Sequence, residues 1–211
     1  MGLDELSAEA QRRFDEKTAA REKALPASRR AIRCCANAIR AIHRNEIDEA
    51  ERLMSEARAA LDEGAAALVD HPDVHFAGFL QDAQKEYAEA RVTAAIVSAR
   101  EIPGPDELGV ELAPYLNGIS EVIGEGRRHI LDLLRKGDVA ESERLLAAMD
   151  DIYYVLVSMD YPDAITGNLR RSTDVARGIL ERTRGDLSLS LVQRGLREAL
   201  ERHANEVLGK D

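Results

Sequence analysis

Apolar residues recur every three or four positions along almost the whole chain, which is the spacing of one face of an α-helix. Gly and Pro gather in a few short breaks, and the sequence holds no alternating run of Val, Ile and Thr of the kind that forms strands. The sequence therefore predicts an all-α fold, a single-domain bundle over residues 1–211 with about seven helices. The predicted helices span 4–44, 46–69, 74–100, 110–136, 139–159, 167–184 and 186–207.

Two pairs of segments match each other at nearly the same separation. Arg44–Met54 aligns with Lys136–Leu146, 92 residues later, and Val69–Asp73 aligns with Met159–Asp163, 90 residues later. A repeat of this kind indicates one supersecondary unit used twice. We therefore predict a duplicated three-helix unit followed by a C-terminal helix. The two copies span approximately 20–100 and 110–184.

The repeat places opposite charges at equivalent positions. Glu121 and Glu125 lie one helical turn apart on one face, and subtracting 92 from their numbers gives Arg29 and Arg33. If the duplication is real, one unit could hold a cation while the other holds phosphate.

Net charge and cysteine content limit the ligands and the cellular compartment that we expect for this chain. A net charge of −10 over 211 residues opposes non-specific wrapping by nucleic acid, so any contact with phosphate must be local. Cys34 and Cys35 are adjacent, and the sequence has no third cysteine to pair with either, which is typical of a reducing compartment. Because there is no signal-like N-terminus and no apolar run of about 18 residues, we expect a cytoplasmic protein that does not contact a membrane.

Two glutamates lie at the edge of the apolar stripe of the third predicted helix. At about 100° per residue, Glu86 falls close to the line of Phe79 and Val97, where an unpaired carboxylate is costly to bury. It requires an arginine, a metal ion or an interface. Glu89 shares a face with Glu86 that suits oxygen ligation of Mg²⁺, although acid pairs at this spacing are common in so acidic a chain.

The fourth predicted helix carries Glu121 and Glu125 opposite its apolar stripe. Without a partner surface such a face is solvated, and Glu125 can pair with Arg128 or His129 at i+3 and i+4. None of the five histidines follows a Glu by three positions, which argues against a di-iron carboxylate site. The sequence also lacks a phosphate-binding loop and the ligand spacing of zinc sites.

Arginines gather on two of the predicted helices. Arg29, Arg33 and Arg40 lie on the first, and Arg170 and Arg171 lie on the sixth. They are candidate contacts for nucleic acid, because the planar guanidinium matches the geometry of phosphate. The alternative is a solvated or salt-bridged face, since the chain offers many glutamates as partners.

Several segments, in their order along the chain, resemble the translin superfamily. They are Gln84–Ala90, Tyr115–Glu121 with the following Glu125–Arg128, and Leu169–Arg171 through Asp174–Ala176. The resemblance covers roughly residues 20–195. The family comprises translin, which binds RNA and single-stranded DNA, and translin-associated factor X, which supplies the endoribonuclease site in their joint complex.

The resemblance implies a metal-dependent active site. In the factor X branch, the catalytic acids lie in segments that map onto Glu86, Glu89 and Glu121, with Glu125 as a supporting ligand. These acids would bind Mg²⁺, or Mn²⁺, which activates water and neutralises charge on the scissile phosphate. The branch typically has Asp where this chain has the longer Glu121. Retention of both Glu86 and Glu89 favours the catalytic branch over translin.

Three hypotheses of function follow. The first is a Mg²⁺-dependent endoribonuclease of the factor X type. The second is a non-catalytic assembly that binds RNA or single-stranded DNA through its arginines, and the third is a helical scaffold that binds only protein. The resemblance also implies a homo-oligomer or a closed multi-subunit shell around RNA, which would turn the face of Glu121 and Glu125 inward.

Overall fold

The computed structural model describes residues 2–209, and within that range every regular element is a helix. Six of these helices are long, and three consist of about one turn. The all-α bundle is therefore confirmed, with six long helices where the sequence predicts about seven. In chain order they are α1 (Leu3–His43), α2 (Ile47–Ala66), α3 (Pro72–His75), α4 (Phe79–Val97), α5 (Pro105–Leu108), α6 (Leu112–Lys136), α7 (Val139–Val157), α8 (Asp163–Thr166) and α9 (Leu169–Leu208).

The turn between α6 and α7 lies where the sequence predicts it. Gly137 adopts the left-handed conformation with φ +80°, and backbone N–H groups at the turn bond to carbonyls in the last turn of α6. The side chain of Asp138 then accepts a hydrogen bond from the backbone N–H of Glu141 at 3.2 Å, which caps α7. The short turn makes α6 and α7 an antiparallel pair.

The predicted break at Gly185 and Asp186 is wrong, because α9 continues through both residues. A glycine costs a helix about 1 kcal/mol relative to alanine, but contacts with the bundle offset this cost. Asp186 forms an ion pair with Arg127 of α6 at 2.8 Å, and Leu187 is buried. The hydroxyl of Thr183 accepts a hydrogen bond from the same arginine at 3.2 Å. Packing against α6 therefore keeps the helix continuous.

The predicted helix over 74–100 is divided in two. Pro72 begins the single turn of α3, a position at which its missing N–H is not needed. Gly78 has φ +104°, a backbone conformation that favours glycine, and α4 begins at the next residue. The chain therefore changes direction between α3 and α4.

The long helices pack in two groups of three that meet at α4 and α6. One group is α1, α2 and α4, and the other is α6, α7 and α9. A continuous core runs through both groups and includes Leu61, Leu80, Ile123 and Met149. Each group follows the order long helix, long helix, single turn, long helix. A common origin of the two halves stays a prediction.

Candidate metal centre

Helices α4 and α6 approach each other closely because Gly118 has no side chain. A Cβ atom at this position would lie 2.5 Å from the backbone oxygen of Lys85 and 3.2 Å from the backbone nitrogen of Glu89. A larger residue would push the two helices apart. Glu121 follows Gly118 by three residues and lies on the same face of α6. The close approach therefore brings Glu121 against α4, next to Glu86 and Glu89.

Three carboxylates meet at this contact. Glu86, Glu89 and Glu121 each place one oxygen so that all three atoms lie within 4.8 Å of one another. They differ in depth, since Glu89 is only 8% exposed, whereas the side chains of Glu86 and Glu121 are 25% and 41% exposed. The acidic trio, as we call these three residues, thus has a buried floor and a side open to solvent.

The surroundings of Glu89 oppose its ionisation. Loss of solvation on burial is the main cause, and the charges of Glu121 and Glu86 add to it. Together they raise the pKa of Glu89 to about 8. A bound cation is the largest local charge in such a site and would reverse the effect. Full ionisation of the acidic trio at neutral pH therefore requires a positive charge beside it.

Lys85 supplies one positive charge at the open side of the trio. Its Nζ donates to the two carboxylate oxygens of Glu121, at 2.8 and 2.9 Å, and lies 3.3 Å from Oε1 of Glu86. Burial disfavours the ammonium, but the bond to Glu121 and the charges of both acids outweigh burial and raise the pKa of Lys85. With all three acids ionised, the four groups carry two negative charges in excess, which suits a divalent cation.

Glu125 lies one turn beyond Glu121 but contacts a different partner. Its Oε2 lies 2.5 Å from Nε2 of His43, the last residue of α1, and 3.9 Å from the guanidinium of Arg128. The hydrogen bond from His43 is the main cause of a lowered pKa of Glu125. The structure thus brings together three of the four predicted ligands, and a metal role for Glu125 stays a prediction.

The segment that ends at Glu121 also fixes the position of α6. The hydroxyl of Tyr115 donates to a backbone carbonyl in the loop before α5, at 2.9 Å. The side-chain amide of Asn117 donates to the backbone carbonyl of Thr166 at 2.7 Å and accepts a hydrogen bond from Ser172 at 3.2 Å. These bonds tie α6 to the preceding loop, to α8 and to α9. One segment therefore supplies both an acid and the contacts that hold it.

Arg29, Arg33 and Arg40 are exposed on α1. At 100° per residue, Arg29 and Arg40 point roughly 40° and 60° away from the direction of His43 around the helix. The guanidinium of Arg40 donates to the side chain of Asn37 at 2.9 Å. The three arginines therefore lie on the solvent side of α1, whereas His43 contacts α6 one turn beyond Glu121.

Arg170 and Arg171 are exposed in the first turn of α9. Arg170 lines a cleft on the α7 side of α9, together with Asp160 and Arg177. It points roughly 160° away from Ser172 around α9, and Ser172 is the residue that bonds to α6. The structure therefore directs Arg170 to the α7 side of α9, away from the helix face that contacts α6.

Comparison with known proteins places the chain in a family. No protein-family model matches the sequence. An uncharacterized protein, MJ0175 of Methanocaldococcus jannaschii, is 36% identical over 188 residues, which cover 88% of this chain and 83% of that protein. Among solved structures, AfC3PO in a duplex RNA complex is 33% identical with a TM-score of 0.82, and the match covers 89% of this chain and 97% of that one. A crystal structure of AfC3PO gives 33% identity and a TM-score of 0.81 over the same shares of the two chains.

The chain belongs to the translin superfamily. Apo-NeC3PO, at 22% identity and a TM-score of 0.75 over 90% of this chain and 97% of that one, adds a likeness in fold alone. The segments that resemble the translin superfamily include those around Glu86, Glu89 and Gly118, which meet between α4 and α6. In the part of the chain that the structure describes, no helix has the length and apolar character needed to span a membrane.

The sequence alone does not predict the contacts of two residues at this centre. Lys85 lies within the family-like segment Gln84–Ala90, and its position next to Glu86 is the only local signal for it. His43 is 82 residues away from its partner Glu125, so no spacing rule connects the two. The contacts of Lys85 with Glu121 and of His43 with Glu125 form only because α1, α4 and α6 pack together.

Proposed function

We propose that this protein is a metal-dependent endoribonuclease of the factor X type, with Glu86, Glu89 and Glu121 as the ligands of Mg²⁺ or Mn²⁺. The observation that carries the proposal is the meeting of three carboxylate oxygens within 4.8 Å, one of them on a buried side chain. A donor set made only of carboxylate oxygens suits hard cations of this kind. Burial and the neighbouring acids oppose ionisation of Glu89, and a cation bound beside it would favour the ionised carboxylate.

Each residue of the centre has a role in this proposal. A bound Mg²⁺ supplies an activated water and neutralises charge on the scissile phosphate. Glu89, Glu86 and Glu121 would hold the cation, with Glu89 as the buried ligand and the other two as the more exposed ones. Lys85, which Glu121 positions at the open side, attracts a phosphate oxygen of the substrate. The close contact at Gly118 keeps the ligands of α4 and α6 at a fixed separation.

The substrate we propose is RNA. The family relative AfC3PO is described in a complex with duplex RNA. In this chain, the exposed Arg29, Arg33 and Arg40 offer a local basic face on α1. With a net charge of −10, any contact with phosphate must be local in this way. Affinities for duplex RNA, single-stranded RNA and single-stranded DNA, measured at one salt concentration, would show which of the three the protein prefers.

We also propose that the protein acts as a homo-oligomer or a closed multi-subunit shell. The C-terminal half of α9 carries exposed apolar side chains at helical spacing, which a monomer leaves in water. They are Leu189, Val192, Leu196 and Leu200. Light scattering coupled to size-exclusion chromatography tests this point, and a monomer at micromolar concentration contradicts it.

Cleavage of end-labelled RNA tests the nuclease proposal. Wild-type protein should cut RNA with Mg²⁺ and not with EDTA. Glu89→Gln should lose more than the roughly 10–100-fold that loss of an outer-shell partner costs a metal site. Glu143→Gln, at an exposed position on α7, is the matched control and should cut normally. Equal cleavage by both variants, or cleavage in EDTA, would contradict the proposal.

The second candidate is a translin-like assembly that binds RNA or single-stranded DNA without cutting it. The exposed arginines of α1 favour it independently of the acids. Arg29→Glu combined with Arg33→Glu should weaken binding and lower the salt slope by about one unit for each phosphate that the variant no longer neutralises. Arg182→Glu on α9 is the control. Salt-sensitive binding without cleavage would favour this candidate, and no RNA retention at low salt would favour a protein-binding scaffold instead.

A further inference from the structure

Two histidines face each other where the end of α1 meets α6. The ring centroids of His43 and His129 lie 5.9 Å apart. Both residues line one cleft of about 340 Å³, together with Asp132, Leu133, Arg135 and Lys136. In each histidine the Nδ1 atom is buried and has no hydrogen-bond partner among the residues that the structure describes. Unpaired ring nitrogens are costly to bury, so this pair requires an explanation.

The hydrogen bond to Glu125 defines the chemistry of His43. The side chain of His43 is 5% exposed, and its Nε2 lies 2.5 Å from Oε2 of Glu125. When Nε2–H donates to a carboxylate, the neutral ring keeps a lone pair on Nδ1. A histidine whose other nitrogen donates to a carboxylate is the usual arrangement of a metal-binding imidazole, because the carboxylate fixes the ring and makes it more basic.

The surroundings favour a cation in this cleft over an anion. His43 is the last residue of α1 and α6 ends at Lys136, so both helices direct the negative ends of their dipoles here. Burial is the main cause that lowers the pKa of His129, which keeps its ring neutral. Arg135 and Lys136 oppose a cation, but both side chains are exposed, and Arg135, which is 81% exposed, pairs with Asp132 at 3.1 Å.

We propose that His43 and His129 bind a divalent transition-metal ion of the zinc class through their unpaired Nδ1 atoms. Metal–nitrogen distances of about 2.0–2.1 Å put the ring centroids of two imidazoles on one ion roughly 5 to 6 Å apart, which agrees with 5.9 Å here. Asp132 lies one turn from His129 on α6 and adds a negative charge to the lining of the cleft.

This site differs in chemistry from the acidic trio. Imidazole nitrogens select zinc, cobalt, nickel or copper, whereas carboxylate oxygens alone select magnesium and manganese. The proposal therefore does not depend on nuclease activity. Glu125 lies between the two sites and holds His43 in place.

Titration with Co²⁺, followed by visible absorption, tests the proposal. The protein should bind Co²⁺ with a visible band typical of nitrogen ligation, and the double variant Glu86→Gln, Glu89→Gln, which lacks two ligands of the trio, should show the same band. His129→Asn should lose the band, and His129→Cys should restore a band with thiolate character. His203→Asn, exposed on α9, is the control and should behave as wild type.

Three results would overturn the proposal. They are a band that His129→Asn leaves unchanged, a band that the double glutamate variant abolishes, and no Co²⁺ binding by a folded wild-type protein. Binding of inorganic phosphate that depends on His129 would identify the cleft as an anion site and would also overturn it. Because His129 is only partly buried, His129→Asn should still fold. Circular dichroism verifies this and excludes loss of the band through unfolding.

Discussion

Replacing Glu89 with Gln should stabilise the protein relative to wild type as the pH rises, when no divalent cation is present. The pKa of Glu89 is raised from its ordinary 4.5 to about 8. A carboxyl group shifted in this direction contributes its full stability below pH 4.5, and that contribution is lost as the pH rises toward 8. Between pH 5 and pH 7, the loss in wild type is about 2–3 kcal/mol, at 1.36 kcal/mol per pH unit. Gln does not titrate and loses none.

Urea denaturation at pH 5 and pH 7 in EDTA measures the effect. The other titrating groups are common to both proteins, so they cancel when the free energy of unfolding of wild type is subtracted from that of Glu89→Gln. We expect this difference to favour the variant by about 2–3 kcal/mol more at pH 7 than at pH 5. Glu143→Gln should show no such change. At pH 7, added Mg²⁺ should stabilise wild type by mass action and leave Glu89→Gln unaffected.

A difference that stays the same at the two pH values, within about 0.5 kcal/mol, would refute the reasoning from burial and neighbouring charge. It would mean that Glu89 ionises in the folded protein as it does in the unfolded chain. Equal stabilisation of both proteins by Mg²⁺ would place the cation away from Glu89.

Three further changes test how the site is held. Gly118→Ala should lower the free energy of unfolding by about 1–3 kcal/mol and abolish cleavage, because the new methyl would lie 2.5 Å from the Lys85 carbonyl. Gly124→Ala, with nothing closer than 3.9 Å, should keep cleavage and raise the free energy of unfolding by up to about 1 kcal/mol. Equal effects of the two changes in urea denaturation would contradict this. Asn117→Ala should lower the free energy of unfolding by roughly 1–3 kcal/mol, because it leaves the carbonyl of Thr166 unpaired. Lys85→Met should tighten Mg²⁺ binding in calorimetry by removing a like charge, and weaker binding would contradict this.

Local signals predict the helices well but not always where they end. Gly137–Asp138 and Gly185–Asp186 have the same two residues, yet only the first pair ends a helix. At Gly137 the backbone adopts φ +80°. At Asp186 an ion pair with Arg127 and the burial of the next residue outweigh the cost of glycine. The sequence cannot distinguish the two pairs, because the difference lies in contacts with another helix.

The acidic trio could be predicted in part for a similar reason. Helical spacing identifies Glu86 and Glu89 as neighbours, but only the family resemblance connects them with Glu121 on another helix. The contact that joins them depends on the missing side chain of Gly118, which is a property of helix packing. Lys85 and His43 were not predicted, because their partners are distant in sequence.

The contact at Gly118 joins the two halves of the chain as well as two helices. Glu86 and Glu89 come from the first half and Glu121 comes from the second, so neither half holds the whole ligand set. If both halves descend from one ancestral unit, that unit lacked the complete centre, and the chemistry arose only after fusion. Two fragments divided in the loop between α4 and α5 should therefore be inactive alone and recover activity on mixing, with metal affinity reporting their reassociation.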